Sequence, residues 1–236
     1  MNNKKVVVFD LDQTLGDFGQ LSMFWFGLQE YLSPKLREPD FYTLLDLYPQ
    51  YLRPNILSIL EYLRDCKKRG ECHKVMIYTN NNGEKSWPLM IKRYLEYKIN
   101  DRLFDRTIAA YKARGKQIEP LRTTYEKTLR DLQSCGHLHQ NSKICFVDDL
   151  EHNKMKRDNV FYIHIPAYHY NFDPNEMVRM FIQSPLADLV DNKEPFYYHM
   201  VNILSRNRYS RENQNKQANE HNGKMLQKYI YSFIKS

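Results

Sequence analysis

Two spacings of apolar residues alternate along this chain. Val6-Val7-Val8-Phe9 is an unbroken apolar run, three of its four residues β-branched, and predicts a strand buried on both faces. Residues 74–78, 143–147 and 160–165 repeat that composition. A shorter strand is expected within 103–111, centred on 108–111. Between these runs apolar residues recur every three or four positions, the period of a half-buried helix. Leu21, Phe24, Trp25, Leu28, Tyr31 and Leu32 form one stripe, and Phe41, Leu44, Leu45 and Tyr48 a second. Ile56, Leu57, Ile59, Leu60 and Leu63 form a third, and residues 86–97 hold another helix. Further helices begin near Pro174 or Asn175 and near Glu194. Met225, Leu226, Tyr229, Ile230, Phe233 and Ile234 make a last amphipathic stripe, expected to dock on the body.

Punctuating residues divide these elements. Ser33-Pro34 reads as a helix stop, and Pro49 ends the second stripe. Pro54 suits the first turn of the third helix, and Gly70 its C-terminal cap. Thr123 and Glu126 have capping-box spacing, which predicts a helix running through Leu129 and Leu132 to Gly136, with Lys127 in its first turn. Lys112, Arg114 and Lys116 make a basic loop around Gly115, and residues 205–223 read as a polar, mobile linker. Strands alternating with helices imply parallel pairing through right-handed crossovers. The expected fold is therefore α/β and Rossmann-like: a central parallel sheet flanked by helices. A small helical insertion over about 16–52 would pack on the sheet or form a wall over the first strand's end. Residues 1–204 are expected as one domain carrying that insertion, and 205–236 as linker and C-terminal helix.

Composition narrows the classes. The formal net charge of +7 fits an acidic partner, either a phosphorylated peptide or a nucleic acid. The four cysteines form no CxxC pair, which argues against structural zinc and for a reduced, intracellular setting, cytoplasmic or nuclear, that of a virus-infected cell included. No apolar run has the length to span a bilayer, and the first strand starts too early to leave room for a signal peptide. Cys135, His137 and His139 lie close together but lack a second ligand pair, so a solvated loop is expected there.

Polar chemistry collects where the strands end. Asp10 and Asp12 follow the first strand, Thr79 and Asn80 the second, and Asp148 and Asp149 the strand of residues 143–147. Parallel sheets gather ligands at those carboxyl ends. Four carboxylates meeting at one spot are tolerable only around a cation, and an oxygen-rich set suits Mg²⁺. Glu151, His152 and Asn153 follow in a loop that can line the same place.

Asp10-Leu11-Asp12-Gln13-Thr14-Leu15 resembles the DxDxT motif of the haloacid dehalogenase superfamily. Together with Leu52-Arg53-Pro54, Tyr78-Thr79-Asn80 and Phe146-Val147-Asp148-Asp149, it is similar to the phosphatases that act on the C-terminal domain of RNA polymerase II and their NLI-interacting-factor-like relatives. The resemblance covers about residues 4–170. It implies Asp10 as nucleophile, Asp12 as general acid and base, and Thr14 as the partner that orients Asp12. It implies Thr79, with Asn80, as a phosphate-binding residue, and a lysine that neutralises phosphate, with Lys127 first and Lys116 or Lys112 as alternatives. Mg²⁺ would be held by Asp10, the Asp12 backbone carbonyl and the Asp148-Asp149 pair, with Asp149 bound directly and Asp148 acting through water or on the lysine. Two features depart from the relatives: the insertion reads as helical rather than β-rich, and no BRCT-like module follows. The implied activity is an Mg²⁺-dependent phosphatase working through an aspartyl-phosphate on phosphoserine or phosphothreonine in protein. A nucleic-acid 3′-end or small-molecule phosphatase, and a non-catalytic binding protein of the same fold, are the alternatives.

Overall fold

The computed structural model describes residues 4–32, 35–84, 86–206 and 215–236. Its strands are β1 (Lys5–Phe9), β2 (Lys74–Tyr78), β3 (Phe104–Ile108), β4 (Lys112–Ala113), β5 (Lys116–Gln117), β6 (Lys143–Asp148) and β7 (Val160–His164). Its helices are α1 (Gly19–Leu32), α2 (Glu38–Leu47), α3 (Ile56–Lys68), α4 (Ser86–Lys98), α5 (Leu129–Gly136), α6 (Pro174–Ile182), α7 (Lys193–Ser205) and α8 (Lys216–Lys235).

Five strands form one parallel sheet in the order β3-β2-β1-β6-β7. β1 is central, with Val7 opposite Val75 on one side and Cys145 on the other. Successive strand residues face opposite sides. Val6, Val8, Met76, Tyr78, Ile144 and Phe146 pack with Leu132 and Cys135 of α5 and with Met155. Their alternates Val7, Phe9, Val75, Ile77, Cys145 and Val147 are also buried, which is why these strands read as continuous apolar runs. The fold is Rossmann-like α/β, and chain order reverses between β1 and β6, the point where such sheets open a crevice.

The chain divides into two compact units. The sheet unit comprises the residues up to Gly16, Arg53–Tyr168 and the residues from Gln217 on. The other comprises Asp17–Leu52 and His169–Lys216. The insertion is thus helical as expected, but it folds with a later segment into a unit of its own. Phe24 sets its ring edge against Phe181 at 5.5 Å and against Tyr48 at 6.0 Å. Tyr48 and Tyr51 donate from their buried hydroxyls to Met177 O and Gln20 Oε1, and Gln20 donates to Phe172 O. Gly27 lets α1 approach α7, since a Cβ there would lie 3.0 Å from Ile203 Cδ1.

Several boundaries differ from the sequence reading, each for a local reason. Pro54 precedes α3 instead of starting it: Pro54-Asn55 fill a turn closed by Ile56 N–H to Arg53 C=O, with Asn55 at φ +65°. Gly70, at φ +76°, is the left-handed residue after α3, as expected. β3 ends at Ile108, where 108–111 had been its expected centre. The basic loop is a hairpin, β4 paired antiparallel with β5, and both turn residues, Arg114 and Gly115, have positive φ. α5 begins at Leu129 because Thr128, not Thr123, is its N-cap, accepting from Asp131 N–H. The stretch expected as a linker is helical from Lys216 onward, and 207–214 lie outside the described residues, as does the Ser33-Pro34 stop. α8 docks on the sheet unit. Leu226 and Ile230 are buried, the Phe233 ring stacks on Phe161, and Tyr231 meets Tyr62 at 3.8 Å. No described helix is long and apolar enough to cross a membrane.

Candidate functional site

The carboxyl ends of β1 and β6 bring three acids together. Asp10 follows β1 directly, Asp148 is the last residue of β6, and Asp149 comes next. Each offers an oxygen within 4.8 Å of the others, and all three are buried. Lys127 enters from the segment before α5 and is 2% exposed. Its ammonium donates to Asp10 Oδ1 and, at 2.7 Å, to Asp148 Oδ2. Tyr78 and Phe146 present their rings to the same ammonium at 5.7 and 5.9 Å. Of the three lysines in question, Lys127 is the one bonded to the acids. Lys112 and Lys116 lie on the hairpin, Lys112 over the Tyr111 ring at 4.9 Å and Lys116 exposed.

One lysine faces three carboxylates, and the titration behaviour follows. Burial raises the Asp10 carboxyl to about 7, the nearby Asp148 charge adds to the rise, and Lys127 opposes it. Burial works the same way on Asp148, but a contact with His152 and the Lys127 charge hold it below the ordinary value. Asp149 is raised by burial against a hydrogen bond from Thr14. Burial also disfavours the Lys127 ammonium, yet the two carboxylates hold its pKa above that of a free lysine. Hard oxygen donors with net negative charge and little water suit a small divalent cation.

The loop after β1 departs from the expected arrangement. β1 ends at Phe9 and the backbone bends at Leu11, so the rule that alternate residues share a face does not carry from Asp10 to Asp12. The Asp12 carboxylate lies outside the three-acid cluster and accepts from the Asn81 amide at 2.8 Å. Three acids make the tight cluster, and the Asp12 charge stands close enough to add to the rise at Asp10. Thr14 does not orient Asp12. Its hydroxyl donates to Asp149 Oδ1 at 3.0 Å and accepts from Asp149 N–H at 3.2 Å. Lys127, expected in the first turn of a helix, sits just outside the N-cap. Thr79 follows β2, buried, with its hydroxyl accepting from Asn81 N–H at 2.9 Å. Asp148 is held as expected by the lysine, and also accepts from Leu150 N–H at 2.8 Å. His152 lines the cluster, with Nε2 3.4 Å from Asp148 Oδ2, whereas Glu151 pairs outward with Lys156.

Two buried arginines shape the site, and neither had been assigned a role there. Arg122 donates to Thr79 O at 3.1 Å, Asn80 Oδ1 at 2.8 Å, Ala109 O at 3.0 Å and Tyr125 O at 3.0 Å. It thereby joins the end of β2 to the loop before Lys127. Arg53 donates to Thr14 O at 2.6 Å, Gln13 O at 2.5 Å and Pro166 O at 2.9 Å, and lies over the Tyr168 ring. Burial lowers its pKa to about 10, which leaves it charged at neutral pH. Its place in Leu52-Arg53-Pro54 was the one available signal. No local pattern distinguishes Arg122 or Asn81 from surface loop residues. No family model, curated protein or solved structure matches this chain.

Proposed function

We propose that this protein is an Mg²⁺-dependent phosphatase of the haloacid dehalogenase type, acting on phosphoserine or phosphothreonine in protein through a phosphorylated aspartate. The observation that carries the reading is the Asp10–Lys127–Asp148 arrangement beside Asp149, set where β1 and β6 end. Asp10, Asp148 and Asp149 would hold Mg²⁺, which when bound supplies positive charge that screens an approaching phosphate from the carboxylates. The Asp10 carboxylate attacks phosphorus in line and forms an acyl phosphate as the ester oxygen leaves. Asp12, fixed by the Asn81 amide, gives that oxygen its proton and then takes one from the attacking water. Hydrolysis returns Asp10 and releases phosphate. Lys127 offers charge to the phosphoryl oxygens. The Thr79 hydroxyl accepts from Asn81 N–H and keeps its own proton to donate to a phosphate oxygen.

The test is p-nitrophenyl phosphate hydrolysis with and without Mg²⁺, in the wild type and in Asp10→Asn. Metal-dependent turnover should be present in the first and absent in the second. Full activity in the variant would remove Asp10 from its role.

A further inference from the structure

Two large apolar side chains stand exposed on the segments that carry the acid cluster and its lysine, on backbones that are tied down. Leu150 immediately follows Asp149 and is 60% exposed. Its N–H is bound to Asp148 Oδ1 at 2.8 Å, and its carbonyl accepts from the Tyr162 hydroxyl at 2.7 Å. Tyr125 lies two residues before Lys127 and is 62% exposed. Arg122 holds its carbonyl, and its ring is set edge-on to Tyr111 at 5.2 Å. The loops that carry them are joined by Lys154–Glu126 at 2.8 Å. Single exposed apolar residues are ordinary on protein surfaces. Here two are held in fixed positions on the loops that supply Lys127, Asp148 and Asp149.

We propose that Leu150 and Tyr125 are specificity-determining residues that receive an apolar side chain flanking the phosphorylated residue of a peptide substrate. This rests on the phosphatase reading above. Remote contacts of this kind let an enzyme choose among substrates that share the same reacting group. A peptide fits better than a nucleic acid for two reasons. Leu150 is aliphatic and gives a base no ring to stack on. The two lysines on the loop that carries Leu150 are already matched by acids, Lys154 by Glu126 and Lys156 by Glu151, which leaves them less free to follow a phosphate backbone.

The experiment compares p-nitrophenyl phosphate, a 3′-phosphorylated oligonucleotide and a set of phosphoserine peptides. The peptides are alanine-flanked, or carry one leucine moved through the flanking positions. The wild type should favour at least one leucine-bearing peptide by roughly ten-fold in kcat/KM. Leu150→Ser and Tyr125→Ser should each erase most of that preference through KM, with p-nitrophenyl phosphate kinetics unchanged. Wild-type turnover without any flank preference would overturn this inference alone. So would equal losses on p-nitrophenyl phosphate, or losses confined to the oligonucleotide. Absence of wild-type turnover on every ester with Mg²⁺ supplied would overturn the phosphatase reading, and this inference with it.

Discussion

Lys127 places one positive charge between two buried carboxylates, and little in its surroundings can replace it. Replacing it by methionine keeps the apolar stem and removes the charge. Asp10 and Asp148 then face each other without compensation, and breaking such a buried pair costs about 3–5 kcal/mol. Lys127→Met is expected to lower stability by that order in a denaturant titration, and to cut phosphatase turnover by about 10²-fold or more. Native-like stability in the variant would mean that the acids do not depend on this lysine. Asp10, Thr79, Asp148 and Asp149 were legible in the sequence because each follows or ends a buried apolar strand, a purely local pattern. The partner of Thr14 was not legible. The hydroxyl meets Asp149 across 135 residues of chain, and nothing near Thr14 records that choice. Arg122 was hidden for the same reason, since its role lies in backbone carbonyls brought to it by β2 and β3.

At the scale of elements, period and composition located the strands and helices well, but their ends less so. Ends depend on which of several eligible residues wins the cap. Thr123 and Thr128 both precede an acid by three residues; Thr128 became the N-cap, while Thr123 gives its N–H and hydroxyl to Asp131. The C-terminal helix shows a second kind of information that composition hides. Gly223 of α8 lies against the Pro54 carbonyl, and a Cβ there would sit 2.3 Å from that oxygen. Pro54 belongs to the turn next to Arg53, so the neighbour is backbone and cannot swing aside. Gly223→Ala should therefore lower unfolding free energy by about 1–3 kcal/mol through overpacking. Lys224→Ala, one residue on and exposed, should stay within about 0.5 kcal/mol. Equal melting temperatures for the two variants would show that α8 does not pack this closely.

For the molecule as a whole, the parallel sheet flanked by helices followed from the alternation of strands and helices, whereas its strand order did not. The division into two units did not, because residues 169–216 carry no mark of pairing with the insertion beyond their own helical period. One consequence of the acid cluster reaches the whole protein through its pH dependence. Folded Asp10 titrates near 7, against an ordinary value of 3.8. Between those values the unfolded chain has released a proton that the folded chain still binds. This group therefore makes the metal-free protein less stable as pH rises through that window. A cation bound by the cluster displaces the proton, so the rise in melting temperature on adding Mg²⁺ should be larger at pH 8 than at pH 5. Asp10→Asn should flatten that difference; an Mg²⁺ effect that ignores both pH and the substitution would place the cation elsewhere. The sheet order has a further consequence, in the time the chain takes to be made. β1 is bonded on one side to β2 and on the other to β6, whose residues lie about 140 positions later. At ribosomal speeds that interval lasts roughly 7–30 s, during which Val6, Val7, Val8 and Phe9 have at most one neighbour strand and at least one bare edge. The nascent chain must keep that edge covered until Ile144, Cys145, Phe146 and Val147 emerge to meet it.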